Sequence, residues 1–100
     1  MSVYEIPFTQ YLLPDGRQKP VTVGVEDEAA VAARALVESG VRFEVEILRD
    51  GLIWLTAVRE DDEGETVLLA SQLCSNGPAV HDAVAVLVRA AAGQEEGDEA

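Results

Sequence analysis

Basic residues are scarce in this sequence. Seven Lys and Arg stand against nineteen Asp and Glu, so the 100-residue chain has a formal net charge of −12. Proteins that bind nucleic acids neutralise phosphates with clustered Lys and Arg. The sequence has neither the cluster nor the surplus, and we expect no direct binding of DNA or RNA. The acidic balance also disfavours attachment to anionic lipid headgroups.

Cysteine and long hydrophobic runs are scarce as well. The single cysteine, Cys74, cannot form a disulfide within the chain, so packing has to supply the stability. No apolar run approaches the roughly 20 residues that cross a bilayer. The first residues lack the basic and then apolar pattern of a secretory signal. These absences predict a cytoplasmic protein without membrane contact.

Few groups in the sequence suit catalysis. The one arrangement of nucleophile and base is Cys74 with His81, expected at a strand end and in the first turn of the following helix. Reduced cysteine is more often an inert core residue, and His81 falls off the apolar stripe of its helix. Glu44 and Glu46 share one strand face, about 7 Å apart, but a charged strand exterior has the same pattern. We expect no enzymatic activity.

Metal and cofactor motifs are missing too. Cys74, His81 and Asp82 lack the CxxC, HxxxH or HExxH spacing of metal sites. The acidic run 61–65 lacks the alternating oxygen ligands of an EF-hand loop. No glycine-rich phosphate loop accompanies Gly77, so we expect neither a metal nor a cofactor. One alternative stays open, a small-ligand cavity lined by aromatic side chains. Its residues would be Tyr4, Phe8, Tyr11 and Trp54.

What the sequence does contain is 48% hydrophobic residues, arranged with clear periods. Alternation predicts strands, and spacing at i, i+3, i+4 and i+7 predicts helices. The predicted strands cover 3–13, 17–25, 41–49, 52–60 and 65–73, and the predicted helices cover 27–39 and 77–92. Gly40 and Gly93 are placed to end the two helices. Residues 1–93 then form one domain, and the acidic residues 94–100 form a disordered tail.

The order of these elements, β-β-α-β-β-β-α, predicts the fold class. Each helix has one apolar stripe, which predicts an α+β protein: a two-layer sandwich with both helices on one face of a mostly antiparallel sheet. Alternation in the first strand puts Tyr4, Ile6, Phe8 and Leu12 on one face. The position of the first hairpin relative to the 41–73 meander stays open, because the helix between them also permits a parallel crossover.

Part of this order resembles a known family. Helix 27–39, three strands and helix 77–92 follow the α-β-β-β-α order of double-stranded RNA-binding domains. That family holds RNA with a basic N-terminus on its second helix, whereas the matching segment here, 75–82, contains no Lys or Arg. The resemblance therefore implies a similar fold and no RNA binding.

The strongest local signal is Asp50-Gly51, a dipeptide typical of two-residue type I′ hairpins. Such a turn pairs Arg49 with Leu52 and so fixes which side chains share a face. The core face would carry Phe43, Val45 and Ile47 opposite Val58, Thr56 and Trp54. The opposite face, apolar near the turn, would carry Leu48, Ile53, Leu55, Glu44 and Glu46.

An exposed apolar face of this kind marks an interface. We therefore predict a non-enzymatic protein-interaction module that binds a protein partner, itself or another, with a homodimer as the self-associated form. The candidate interface residues are Leu48, Ile53, Leu55, Glu44 and Glu46. Pro7 and Pro20 protect the edge strands, which favours contact between faces over pairing between edges. The alternative is that the first hairpin folds over this face and completes the core.

The charge suggests a different function, an acidic decoy that occupies the nucleic-acid site of a DNA- or RNA-binding protein, as phage-encoded inhibitors do. A decoy needs carboxylates in a rigid array. Five acids lie in 60–65 and four in 95–99, so nine of nineteen fall in segments expected to be mobile. The charge therefore fits solubility better than mimicry, and the decoy is the alternative function.

Overall fold

The computed structural model describes residues 3–12, 17–48, 50–75 and 77–97; the predicted first turn, 13–16, lies outside them. It has the predicted order β-β-α-β-β-β-α, which confirms the α+β class. The strands are β1 (Val3–Leu12), β2 (Arg17–Glu26), β3 (Arg42–Ile47), β4 (Leu52–Glu60) and β5 (Thr66–Ser75). The helices are α1 (Asp27–Glu38) and α2 (Ala79–Gly97).

The five strands form one sheet in the order β2-β1-β3-β4-β5. β1 pairs antiparallel with β2 and parallel with β3, while β3, β4 and β5 form an antiparallel meander. The sheet is therefore mixed, and the prediction of a mostly antiparallel sheet is wrong. The cause is α1, which connects β2 to β3 and lets β3 run beside β1 in the same direction. The first hairpin thus extends the sheet and does not fold over its other face, and Pro7 lies on an interior strand.

Alternate strand residues and the apolar stripes of both helices build one core. Ile6, Phe8 and Phe43 are buried on the sheet, and the ring centroids of the two phenylalanines lie 5.4 Å apart. α1 contacts β1 and β2, α2 contacts β2, β4 and β5, and the helices contact each other. From α2 the core takes residues that helical spacing predicts. They are Ala83, Val84, Leu87, Val88 and Ala91.

α1 ends as the sequence predicts, with Gly40 after its last turn. Gly40 has a φ of 102°, a left-handed conformation that residues with a Cβ rarely adopt. Its N–H donates to the Val37 carbonyl at 3.1 Å, and the Val41 N–H donates to the Leu36 carbonyl at 3.0 Å. This pattern is a Schellman motif, with the side chains of Leu36 and Val41 both buried. It turns the chain directly from the helix into β3.

Replacing Gly40 by alanine should lower the free energy of unfolding by about 1–2 kcal/mol, because a Cβ disfavours the left-handed conformation. Apart from Gly40 itself and its two chain neighbours, no residue has an atom within 4 Å of the position that the new Cβ would occupy, so the loss is conformational rather than steric. Gly24→Ala is the matched control, since Gly24 also has open space around it but no positive φ. Urea unfolding should show no loss at Gly24. Equal losses at both positions would contradict the role of the left-handed conformation.

The turn between β3 and β4 has three residues rather than the predicted two. The Leu48 N–H donates to the Leu52 carbonyl at 2.8 Å, and the Gly51 N–H donates to the Leu48 carbonyl at 3.4 Å. Gly51 has a φ of 76°, the left-handed conformation that a three-residue hairpin loop with a bulge uses. Leu48 therefore stands opposite Leu52. The prediction placed Arg49 at that position, and Arg49 lies outside the described residues.

This shift by one residue reverses the faces of β4. Leu55 pairs with Val45 on the core face, and Ile53 and Leu55 are only 6% and 1% exposed. Their prediction as exposed interface residues is wrong. The sequence could not decide between the two registers, because 52–55 is apolar throughout and the Asp-Gly dipeptide suits both turns.

The acidic connection between β4 and β5 has the same turn geometry. The Asp61 N–H donates to the Glu65 carbonyl at 2.8 Å, and the Gly64 N–H donates to the Asp61 carbonyl at 3.0 Å. One carboxylate oxygen of Asp61 also accepts the N–H groups of Glu63 and Glu65, each at 2.9 Å. A run expected to be mobile is therefore a hydrogen-bonded turn. The local cause is Asp61, which bonds its own backbone, and Gly64, which takes the positive φ.

α2 extends past its predicted end at Gly93 and continues to Gly97. Glycine ends a helix where it turns left-handed, and Gly93 does not do so here. Residues 94–97 thus belong to the helix, so the predicted helix end at Gly93 is wrong. Residues 98–100 lie outside the described part, and their disorder stays a prediction. Neither described helix is long and apolar enough to cross a membrane.

Candidate interaction surface

The sheet face opposite the core, here called the outer face, contains part of the predicted interface. Glu44 and Glu46 lie on it, half-buried on β3, and Leu48 continues their row, also half-buried. Ile53 and Leu55 lie on the core face instead. The structure thus brings together three of the five predicted interface residues.

Trp54 takes the place of those two residues on the outer face. It lies on β4 opposite Leu73 of β5, and the two side chains are 36% and 45% exposed. Leu68 lies further along β5 and is 56% exposed, and Leu52 is half-buried near the turn. We call Leu52, Trp54, Leu68 and Leu73 the apolar strip. The prediction that Trp54 faces the core is wrong, and a three-residue turn before Leu52 is the signal that places it outside.

A hydrogen-bonded carboxylate borders the apolar strip. The Tyr11 hydroxyl donates to Glu44 Oε2 at 2.9 Å, across the parallel pair of β1 and β3. This hydrogen bond raises the pKa of Tyr11 above its ordinary 10.0; burial and the negative charge of Glu44 add to the rise, and Arg42 opposes it. Arg42 also lies 4.0 Å from a carboxylate oxygen of Glu60. The outer face therefore sets an apolar strip beside acidic and tyrosyl side chains.

The Tyr11 pKa gives a test of this hydrogen bond. Glu44→Gln removes the charged acceptor, so we expect the Tyr11 pKa to fall. Because the folded pKa exceeds the unfolded one, the pair's contribution to stability is fully present below about pH 10 and is lost as pH rises through the folded pKa. An ultraviolet titration that follows phenolate formation measures the Tyr11 pKa. It is done in a Tyr4→Phe background, which leaves Tyr11 as the single tyrosine.

Glu46→Gln is the matched control for that titration. Glu46 stands opposite Tyr11 in the register of β1 and β3, but the one hydroxyl proton goes to Glu44. We expect a clearly smaller fall in the Tyr11 pKa. Equal falls in the two variants would mean that general acidity of the face, rather than the hydrogen bond, sets the pKa.

Cys74 and His81 lie in different surroundings. Cys74 packs against the core from β5, and burial raises the pKa of its thiol, which disfavours the nucleophilic thiolate. His81 is exposed in a cleft of about 230 Å³ whose lining includes Glu26, Asp82 and Arg89. Within the described segments, no three His, Cys, Asp or Glu side chains converge as a metal site.

The four aromatic residues considered for a ligand cavity lie on opposite faces of the sheet. Phe8 is in the core and Tyr4 packs against it, whereas Tyr11 and Trp54 lie on the outer face. The expectation of a shared cavity is therefore wrong. A different cavity of about 180 Å³ lies between the sheet and the first turn of α2, and Gln10 is the one polar residue in its described lining. Small-molecule sites combine an apolar lining with a few polar groups that orient the ligand, and Gln10 is the single such group here.

These features define an α+β protein with a mixed five-stranded sheet, whose outer face presents an apolar strip beside acidic residues. The chain matches no protein-family model, no curated protein and no solved structure. The resemblance to double-stranded RNA-binding domains is one of element order, carried by α1, β3, β4, β5 and α2. The function has to be argued from the outer face itself.

Proposed function

We propose that this protein is a small, non-enzymatic interaction module that self-associates as a homodimer through the apolar strip of its outer face. The proposal includes the two-layer arrangement, in which both helices cover the core face. The observation that carries it is Trp54: the single tryptophan of the chain is 36% exposed, opposite the 45% exposed Leu73. Tryptophan is enriched where interfaces bury most of their apolar area.

The distribution of charge supports the apolar strip as the contact. The outer-face positions that lie among the strip residues on β4 and β5, Thr56, Val58 and Ser71, are also uncharged, although the whole chain has a net charge of −12. Glu44, Glu46 and Arg42 border it, as polar residues border the dry centre of an interface. Exposed apolar side chains that group on one face mark interaction sites. A dimer through the strip would remove apolar surface from water and leave the acidic groups hydrated.

Trp54 is also the probe for the test, because all tryptophan fluorescence comes from it. We expect sedimentation equilibrium to show a dimer at micromolar concentration. On dilution, the emission of Trp54 should shift to longer wavelength as the indole becomes hydrated. Trp54→Ser should weaken the dimer at least tenfold, a change of about 1.4 kcal/mol in association free energy.

Val31→Ser is the control for that substitution. Val31 is 64% exposed, yet it lies on α1 and outside the proposed contact. Its replacement should leave the dimer unchanged. A wild-type protein that sediments as a monomer throughout the micromolar range would rule out self-association.

A second candidate function is the acidic decoy, and the turn at 61–65 is the observation in its favour. Hydrogen bonds to the Asp61 carboxylate order this turn, so its acidic residues have fixed backbone positions. A mimic of the phosphate backbone needs such order. A decoy would displace DNA from a basic protein in a salt-dependent manner. Failure to compete at every salt concentration excludes this function.

A further inference from the structure

The two edges of the sheet are built differently. β2 forms one edge and carries Pro20, with Arg17 and Lys19 before it. β5 forms the other edge, and its ten residues include no proline and no charged side chain. It begins the longest run of the sequence without Asp, Glu, Lys or Arg, 66–81. Proline and charged side chains protect edge strands from pairing, so β2 is protected and β5 is open.

The directions of the backbone hydrogen bonds between neighbouring strands show which N–H and C=O groups β5 presents at this edge. The Leu52 carbonyl points toward β3, where the Leu48 N–H donates to it. Directions alternate along an antiparallel strand, so the next residue, Ile53, points toward β5 and bonds its partner Cys74. By the same alternation, the odd-numbered residues within 71–75 direct their N–H and C=O groups away from β4. They form a row of donors and acceptors ready for another strand.

We infer that β5 pairs antiparallel with β5 of a second copy about a two-fold axis, which joins two five-stranded sheets into one. The inference rests on the proposed self-association and names its geometry. Leu68 and Leu73 belong both to β5 and to the apolar strip, so the strips of the two copies meet at the seam. Side chains that face each other across an antiparallel pair stabilise it.

A second copy fits this edge better than it fits the outer face as a whole. Stacking two outer faces would bring Glu44 and Glu46 of both copies into one layer, and charges buried without partners are costly. The uncharged β5 lets two chains of net charge −12 approach without placing carboxylates at the seam. Because the β2 edge is protected, pairing stops at two copies and forms a closed dimer rather than a fibre.

Distances between spin labels test this geometry. In a Cys74→Ser background, single labels are placed at Ser71→Cys on β5 and at Thr22→Cys on β2. Across the seam the two β5 strands lie roughly 5 Å apart, so the labels at 71 should lie within about 20 Å of each other. The two β2 strands would lie nine strand spacings apart, roughly 43 Å.

Two lysine substitutions give the matched test in solution. Ser71→Lys places a charge at the open edge and should weaken the dimer at least tenfold, whereas Thr22→Lys makes the same change in net charge on β2 and should have no effect. Circular dichroism checks that each variant folds, and if Ser71→Lys does not fold, the label distances decide. A dimer with distant labels at 71 would overturn the edge pairing and leave self-association standing. A monomeric wild-type protein would overturn both.

Discussion

Replacing Leu55 by alanine should lower the free energy of unfolding by about 2–5 kcal/mol. Leu55 is 1% exposed and stands opposite Val45 on the core face of the sheet. The substitution removes buried methyl groups and leaves a cavity that close-packed neighbours cannot fill completely. With the two-residue turn that the sequence suggested, Leu55 would lie on the outer face and its loss would cost little. The measurement is urea unfolding at sub-micromolar concentration, where self-association contributes least.

Leu68→Ala is the control with the same chemical change. Leu68 is 56% exposed at the open edge of the sheet, so we expect a loss below about 1 kcal/mol. Comparable losses at Leu55 and Leu68 would contradict the three-residue turn and the register that it fixes. The two variants together therefore test the three-residue turn between β3 and β4, which decides which side chains of β4 lie on the outer face.

Ala33→Leu should lower the free energy of unfolding by about 1–3 kcal/mol, and its large added volume favours the upper end of that range. Ala33 is fully buried on α1, and Ala29 and Ala30 beside it are buried as well. Three small residues on one stripe let the helix lie close to the sheet. A leucine there forces the helix outward or takes an unfavourable rotamer.

Ala35→Leu on the same helix is the control. Ala35 is exposed, and leucine has nearly the helix propensity of alanine, so this change should stay within about 0.5 kcal/mol. Thermal unfolding followed by circular dichroism compares the two variants directly. Equal losses of unfolding free energy in the two variants would contradict the close packing of α1 on the sheet.

Local chemistry was enough to predict much of this fold. Alternation grouped Tyr4, Ile6 and Phe8 on one face, which in the structure is the core face, and Gly40 marked the end of α1. The prediction that α2 ends at Gly93 was wrong because glycine can adopt the left-handed conformation but need not, and Gly93 stays helical.

The register of β4 was harder to predict than the elements themselves. The same Asp-Gly dipeptide closes a two-residue or a three-residue turn, and the apolar run 52–55 fits either one. The predicted face is right for Glu44, Glu46 and Leu48, because these residues lie on β3 or beside it, before the turn. Trp54 follows the turn, so the change of register places it on the face opposite to the predicted one.

The parallel pair of β1 and β3 could not be predicted, because nothing local specifies it. Its partners, such as Phe8 and Phe43, are separated by β2 and α1. The period of apolar residues along a chain predicts which face a residue prefers, not which strand will lie beside it. The same limit applies to the candidate site, since the open edge at β5 follows from strand order.

The interior position of β1 also governs the order in which the molecule can assemble. β1 is synthesised before the other four strands, yet one of its two neighbours, β3, follows only after β2 and α1. Contacts between distant parts of a chain form slowly because a long loop must close first. Until β3 arrives, the nascent β1–β2 hairpin has a second exposed edge that the finished protein lacks. β1 is therefore open to mispairing until β3 docks beside it.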